Sequence, residues 1–222
     1  MCGRFTLRAP MTEIVREFQL AGPTEWSPRF NIAPTQPVLT VTQEAGAPRA
    51  ARCMLWGLIP SWAKDRSIAN SLINARAESV ADKPSFRAAF KRRRCLIVAD
   101  GYYEWQKTGK AKQPFHIRFP DNRPFAIAGL WESWGESHLE TCTLITTDAN
   151  ETTRPIHDRM PVILDPPDAA TWLESPPENR DELLALLRPY RANQLVTDAV
   201  STYVNNPRHE DPGCLTGNRS LF

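Results

Sequence analysis

Cys2 is the residue whose position alone implies a chemistry. The chain begins MCGRF, and methionine aminopeptidases remove Met1 when the next residue is as small as cysteine. The mature chain would then carry an α-amine and a thiol on adjacent carbons, with reference pKa values of about 7.7 to 8.0 and about 8.5. Such a 1,2-aminothiol captures an aldehyde, because the amine forms an imine and the thiol then closes a five-membered thiazolidine ring. The same thiol could instead be an acyl-transfer nucleophile with the terminal amine as its base.

Glu104 and His157 are the two candidates for moving protons. Glu104 lies in ADGYYEW, where Gly101 allows a bend after an apolar strand and aims the carboxyl group among aromatic side chains. Such surroundings raise the pKa of a carboxyl group, which suits a proton shuttle. His157, in IHDRMPV, has polar neighbours, although a core histidine and an exposed strand-end glutamate are the simpler alternatives. Because adjacent side chains of an extended chain point in opposite directions, we expect Asp158 not to orient His157 directly.

Three further stretches could contribute to a site, and two of them combine polar residues with aromatic residues and proline. Asn74 stands beside Arg76 in INARAES, where it is either a site residue or a helix cap. The stretches FNIAPTQ (30–36) and WGLIPSWAKD (56–65) read as loops that converge on a site. Trp56 is expected in the core, and Trp62 is expected to be an exposed stacking platform for a base.

The five cysteines do not form a metal-binding or disulfide pattern. They are scattered and never arranged as C-x-x-C, so we expect no metal, no cofactor and no disulfide framework. Cys53, Cys95 and Cys142 lie in apolar runs and are predicted to be small, buried core residues.

The charge is distributed unevenly along the chain. The net charge is +2, but residues 1–111 carry 17 Lys and Arg against 9 Asp and Glu, and residues 112–222 carry 10 against 16. Arginine dominates the basic half, and its planar fork suits phosphate. The pattern indicates either an anionic partner or a solvated basic face.

The bulk composition fits one globular domain. The 222 residues are 41% hydrophobic and 23% charged, which excludes a disordered chain. No apolar run approaches the roughly 18 residues of a membrane helix, and the N-terminus lacks an apolar signal segment. We therefore expect a single domain at 1–222 in the cytoplasm, with a polar C-terminal surface segment from about 206.

The hydrophobic pattern predicts an α+β fold in which strands dominate. Helical periodicity recurs near 12–20, with Thr12 as a possible cap, near 85–92 behind Ser85, near 166–174, and in RDELLALLRPY (180–190). We expect a mixed, barrel-like β-sheet core with peripheral helices. The predicted strands are 37–43, 49–58, 94–105, 114–119, 125–134, 141–149 and 161–164.

Taken together, the motifs resemble one known family. In order they are MCGRF, NIAPTQ, WGLIPSWAKD, INARAE, RRCLIVADGYYEW, KQPF, AGLWE, TTDANE, IHDRMPVIL and VNNP. They are similar to the SOS response-associated peptidase (SRAP) family of abasic-site processing proteins, over residues 2 to about 212. The departures are Val98, where the family commonly has proline, and Tyr102, where it commonly has phenylalanine.

The resemblance implies a protein that binds single-stranded DNA at an abasic site and crosslinks to it. Cys2 would form the thiazolidine with the ring-opened sugar aldehyde, Asn74 would hold the N-terminus and the sugar, and Glu104 would be the acid and base. His157 would assist imine formation and β-elimination or crosslink reversal. The implied DNA-binding residues are Arg4, Asn31, Pro34, Trp62, Arg76, Trp105 and Arg159, in which the arginines hold phosphates and the tryptophans border the strand.

Other functions for Cys2 stay open at this point. Class II glutamine amidotransferases also begin Met-Cys-Gly, so an N-terminal-nucleophile amidohydrolase is one alternative, and a cysteine peptidase is another. A plain single-strand binding module is the non-enzymatic alternative. On the favoured interpretation the protein is a monomer that associates with the nucleoid when bound to DNA.

Overall fold

Strands make up most of the secondary structure. The structure is a computed structural model that describes residues 2–22, 25–109 and 111–217. The α-helices of this part are α1 Met11–Phe18, α2 Arg87–Arg92, α3 Pro166–Glu174 and α4 Arg180–Ala185. The strands are β1 Arg4–Leu7, β2 Arg29–Ile32, β3 Pro37–Thr42, β4 Ala50–Trp56, β5 Asn74–Arg76, β6 Arg94–Ala99, β7 Gly101–Thr108, β8 Ala111–Arg118, β9 Phe125–Trp134, β10 Leu139–Asp148, β11 Arg159–Pro161, β12 Ile163–Leu164 and β13 Val196–Ala199.

A closed five-stranded barrel lies at the centre of the fold. Its strands follow the order β10-β4-β3-β6-β9, and β9 pairs with β10 to close the ring. The β4–β10 pairing is parallel and the other pairings in the ring are antiparallel, so the barrel is mixed. A second antiparallel sheet has the order β13-β8-β7-β1-β2. The predicted α+β fold with a mixed barrel core is confirmed.

The two sheets share one hydrophobic core. Phe5 and Ile32 of the second sheet belong to the same buried cluster as Leu96 and Leu144 of the barrel. Every residue of β6 is buried. Because β6 is covered on both faces, it reads as a continuous apolar run rather than as an alternating one.

The predicted strand at 94–105 is two strands with a corner between them. β6 ends at Ala99 and β7 begins at Gly101, and the two strands belong to different sheets. Asp100 at the corner is buried and accepts hydrogen bonds from the backbone N–H groups of Arg8 (2.5 Å) and Ala9 (3.0 Å). It also accepts a bond from Thr6 Oγ1 at 2.5 Å. Asp100 therefore fixes the end of β1 at the β6–β7 corner.

Gly101 is required at this corner because His116 packs directly against it. A Cβ at Gly101 would lie 2.1 Å from His116 Nε2, well inside contact distance. His116 Nε2 is held 3.1 Å from Thr6 Oγ1, so the ring has a fixed place. We expect Gly101→Ala to lower the free energy of unfolding by about 3 kcal/mol, the upper end of typical overpacking costs. Urea denaturation measures this effect.

Gly22 provides the matched control for that substitution. A Cβ at Gly22 would meet nothing within 4 Å. Gly22→Ala should therefore leave the unfolding midpoint almost unchanged. Equal midpoints for the two variants would show that the corner tolerates a side chain and that His116 is free to move.

Three local expectations were wrong. Helix α1 begins at Met11 with Pro10 as its N-cap residue, so Thr12 lies inside the helix and does not cap it. The ring of Pro10 fixes its φ at a value that the first helical turn accepts. Helix α2 begins at Arg87 with Phe86 as its N-cap residue, so it starts one residue later than a helix directly behind Ser85 would. Cys53 is exposed, because Met54 and Trp56 take the inward positions of β4 and Cys53 therefore points outward.

The polar segment after Asn205 lies on the surface but is anchored at several points. Val204 and Cys214 are buried in a small second core with Tyr103. Glu210 accepts hydrogen bonds from the backbone N–H groups of Phe30 (2.7 Å) and Asn31 (2.8 Å) in β2. The C-terminal segment therefore covers the edge of the second sheet.

None of the helices in the described part of the chain has the length and apolar character of a membrane span.

Candidate active site and nucleic-acid interface

Cys2 precedes β1 and is fully buried in the chain as encoded. Strand β1 pairs with β7 so that Arg4 lies opposite Tyr103 and Phe5 opposite Tyr102. Continuing this antiparallel register brings the Cys2–Gly3 step beside Glu104 and Trp105. The strand pairing therefore places the predicted nucleophile next to the predicted proton shuttle.

Asn74 holds the main chain of Cys2 from the barrel side. Its Nδ2 donates a hydrogen bond of 3.0 Å to the Cys2 carbonyl oxygen. Asn74 is the first residue of β5, which pairs in parallel with β10 at Leu144, so it is a strand residue and not a helix cap. This contact joins residues that are 72 positions apart in the sequence.

Glu104 is a buried carboxyl group on β7. It lies opposite Phe115 of β8, and burial raises its pKa, while the nearby His157 opposes that shift. Burial also raises the pKa of the Cys2 thiol, and the negative charge of Glu104 raises it further. Glu104 thus lies within electrostatic reach of both Cys2 and His157.

His157 is oriented by its immediate neighbours. The backbone N–H of Arg159 donates to Nδ1 at 3.0 Å, and Asp158 Oδ1 lies 2.9 Å from the same nitrogen. The expectation that Asp158 would not orient His157 was wrong, because residues 157 and 158 lie in a loop, where strand alternation does not apply. Neutral His157 accepts from the Arg159 N–H group at Nδ1, and the imidazolium donates from Nδ1 to Asp158.

Arg4 and Asn31 form a connected pair at the edge of the second sheet. Arg4 Nη1 donates to Asn31 Oδ1 at 2.7 Å and to the Val204 carbonyl oxygen at 3.0 Å. Asn31 is fully buried, and its Nδ2 donates to carbonyl oxygens of the C-terminal segment, including that of His209 at 2.8 Å. Asn31 and the carbonyl oxygens of Val204 and Asn205 thus fix the guanidinium group of Arg4 together.

Arg159 is held by two carboxylates. It forms a two-pronged contact with Glu78, at 2.7 and 3.0 Å, and a 2.8 Å contact with Asp148. Its side chain is 12% exposed, and its Nη2 also donates to the Thr146 carbonyl oxygen at 2.7 Å.

Arg76, which lies opposite Thr146 in the β5–β10 pair, is exposed. The sequence reasoning missed Glu78 and Asp148, although the glutamate belongs to the INARAES stretch itself.

The remaining interface residues differ in their exposure. Trp62 is 59% exposed, as a stacking platform requires. Trp105 is half-buried, and its Nε1 donates to Asn205 Oδ1 at 2.7 Å, which ties β7 to the C-terminal segment. Pro34 is half-buried and precedes Thr35, which has a positive φ of 68°. Over the described ranges, no group of three or more His, Cys, Asp or Glu side chains is placed to hold a metal ion.

Fold and site together define a mixed-barrel protein in which Cys2 is buried and held by Asn74. The chain belongs to the SOS response associated peptidase (SRAP) family, whose model matches residues 1–207. The family predicted from the sequence motifs is thereby confirmed.

Relatives with assigned names cover nearly the whole chain. Abasic site processing protein YoqW of Bacillus subtilis is 42% identical over 219 residues, covering 96% of this chain and 97% of the relative. Abasic site processing protein HMCES of Gallus gallus is 35% identical, covering 86% of this chain and 66% of the relative. A crystal structure of a protein from Bacteroides thetaiotaomicron superimposes with a TM-score of 0.84 at 25% identity, covering 97% of this chain and 99% of that one.

Proposed function

We propose that this protein processes abasic sites in single-stranded DNA by capturing the ring-opened sugar covalently on Cys2. The observation that carries the proposal is the convergence of Asn74 and Glu104 on Cys2 from separate elements, with His157 beside Glu104. The relatives YoqW and HMCES, both named abasic site processing proteins, support the same substrate.

The chemistry starts with removal of Met1, which leaves an α-amine on Cys2. The amine nitrogen attacks C1 of the sugar aldehyde, and the carbonyl oxygen takes up protons and leaves as water, so that an imine forms. The Cys2 sulfur then bonds to C1 while its proton moves to the nitrogen, and the thiazolidine ring closes. Ring closure removes the C=N bond that would act as an electron sink for β-elimination, so the DNA strand remains intact.

Glu104 is proposed to move the protons in these steps. Burial raises its pKa, so the protonated acid persists to higher pH than for an exposed glutamate. The acid can then protonate the sugar oxygen as the ring opens and as water leaves. His157, held by the Arg159 N–H group when neutral and by Asp158 when protonated, is proposed to assist imine formation and crosslink reversal.

The DNA strand is proposed to run past the exposed side chains of Arg76 and Trp62. Stacking of a base on an aromatic side chain is sequence-tolerant, as processing of a site without a base requires. Arg4 would offer phosphates a fixed charge, because neutral acceptors hold its guanidinium group, whereas Glu78 and Asp148 already compensate the charge of Arg159. Asn31 would act by positioning Arg4, and Pro34 and Trp105 would border the strand.

Intact mass spectrometry after mixing with an oligonucleotide that contains one abasic site tests the proposal. We expect the protein without Met1 to gain the full mass of the oligonucleotide minus one water. A gain of only part of the oligonucleotide would reveal β-elimination instead of ring closure. A tetrahydrofuran site, which has no aldehyde, is the control and should give no adduct.

The alternatives predict no adduct, and each also predicts a different second result. An amidohydrolase would release ammonia from glutamine and form no adduct with DNA. A plain binding module would hold intact and abasic strands equally and form no covalent species. Either result would overturn the proposed function.

A further inference from the structure

Tyr102 is a buried tyrosine beside the site whose hydroxyl lacks a well-formed hydrogen bond. Its side chain is fully buried, and among the described residues its hydroxyl oxygen has no partner in hydrogen-bonding geometry. The Thr153 hydroxyl lies close enough to act on the phenol, but the two groups do not meet in hydrogen-bonding geometry, and Thr153 Oγ1 donates to Asn150 Oδ1 at 3.0 Å. A buried hydroxyl without a partner costs about 1 to 3 kcal/mol, so the protein retains this oxygen against a stability penalty.

The strand geometry places this hydroxyl on the side of β7 that faces the site. Tyr102 and Glu104 are two residues apart on β7, so their side chains share one face. Tyr102 belongs to the same buried cluster as Cys2, whereas Tyr103 on the opposite face belongs to the small second core. Burial is the largest cause that raises the pKa of the Tyr102 phenol. The charges of Cys2 and Glu104 raise it further, which places both groups near the phenol.

A second unpartnered oxygen lies at the same place. Asn74 Oδ1 is buried without a hydrogen bond, while Nδ2 of the same amide holds the Cys2 carbonyl oxygen. Tyr102 therefore offers a donor and Asn74 an acceptor next to the same cysteine. Cys2 is itself fully buried, so its proposed reaction requires the structure around Cys2 to open. The incoming sugar then meets the groups that pack beside Cys2.

We propose that Tyr102 is a further catalytic residue, whose hydroxyl donates a hydrogen bond to the C1 carbonyl oxygen of the ring-opened abasic sugar. This inference rests on the proposed function, since it concerns the aldehyde that Cys2 captures. When the amine attacks C1, the carbonyl π electrons move to the oxygen, and a fixed donor stabilises the negative charge that develops there. Tyr102 keeps its own proton throughout, and the proton that the oxygen takes up comes from Glu104.

Tyr102→Phe tests the proposal because it removes only the hydroxyl oxygen. We expect the single-turnover rate of adduct formation at saturating protein to fall about 100-fold, the lower end of losses of one such donor. The Kd for an oligonucleotide with a tetrahydrofuran site should stay unchanged, because that analogue has no aldehyde. The melting temperature should not fall, because the removed hydroxyl has no hydrogen bond to lose.

Tyr103→Phe is the matched control on the opposite face of the same strand. The Tyr103 hydroxyl donates to the Phe30 carbonyl oxygen at 2.8 Å, so this variant should lose stability but keep the wild-type rate of adduct formation. An unchanged rate in Tyr102→Phe, with adduct formed normally by the wild type, would overturn the role of Tyr102 alone. Failure of the wild type to form any adduct would overturn the proposed function together with it.

Discussion

Cys2→Ala is expected to abolish the denaturant-resistant adduct with abasic single strands. The variant keeps the α-amine after removal of Met1, since alanine is also small, but it has no thiol to close the ring. It can therefore form only an imine, which hydrolyses or leads to β-elimination. A denaturing gel should show the loss of at least 99% of the stable product, on the order of 100-fold, and instead a cleaved DNA strand. Borohydride reduction should still trap the imine.

Reversible DNA binding should survive this substitution. The side chains proposed to contact the strand, such as Arg76 and Trp62, are exposed, whereas Cys2 is buried. Fluorescence anisotropy with a tetrahydrofuran site should therefore give a Kd close to that of the wild type. Cys142→Ala, which removes a buried thiol from the barrel core, is the matched control and should form the normal adduct. A stable adduct in Cys2→Ala would assign the crosslink to another nucleophile.

The sequence predicted the barrel better than the strands that position the site. The long strands β9 and β10 of the barrel carry enough residues for their pattern to be recognised. The sequence interpretation missed β1, β2 and β5, which have three or four residues each and offer too few positions for a period of two. Yet β1 brings Cys2 to Glu104, and β5 brings Asn74 to Cys2.

The contacts between distant segments could not be derived from spacing. The sequence could predict that Glu104 follows a bend at Gly101, because glycine after an apolar run is a local signal. It could not predict that Asn31 is buried beneath the C-terminal segment, since that depends on Glu210 reaching β2 from 179 positions away. For Arg159, the resemblance implied a phosphate-binding residue, but nothing in the sequence indicated that Glu78 and Asp148 both bind its guanidinium group.

Glu104→Gln is expected to slow adduct formation by about 10²- to 10³-fold, within the usual contribution of an acid or base group. Glutamine has nearly the same shape but cannot move a proton, so binding of a tetrahydrofuran site should change little. Rapid-quench measurement at saturating protein separates the two effects. A variant with an unchanged rate and weakened binding would instead assign Glu104 to DNA contact.

Glu132→Gln is the control for burial of a glutamate. Glu132 is also buried, but it lies in the barrel and pairs with Arg93 at 2.6 Å. We expect this variant to lose stability, because the Arg93 charge loses its partner, and to keep its rate of adduct formation. The two substitutions should thus separate a glutamate that reacts from one that supports the fold.

Glu104→Gln should also change how stability depends on pH. Burial raises the pKa of Glu104 in the folded protein above that of the unfolded chain, so folding favours the protonated form. The stability contributed by this proton is fully present below the unfolded pKa of about 4.3 and is lost as the pH rises through the folded pKa. Glutamine cannot ionise, so the variant should gain stability relative to the wild type as the pH increases over that range. Urea denaturation at a series of pH values measures the difference, and parallel curves would show that Glu104 ionises equally easily in the folded and unfolded chain.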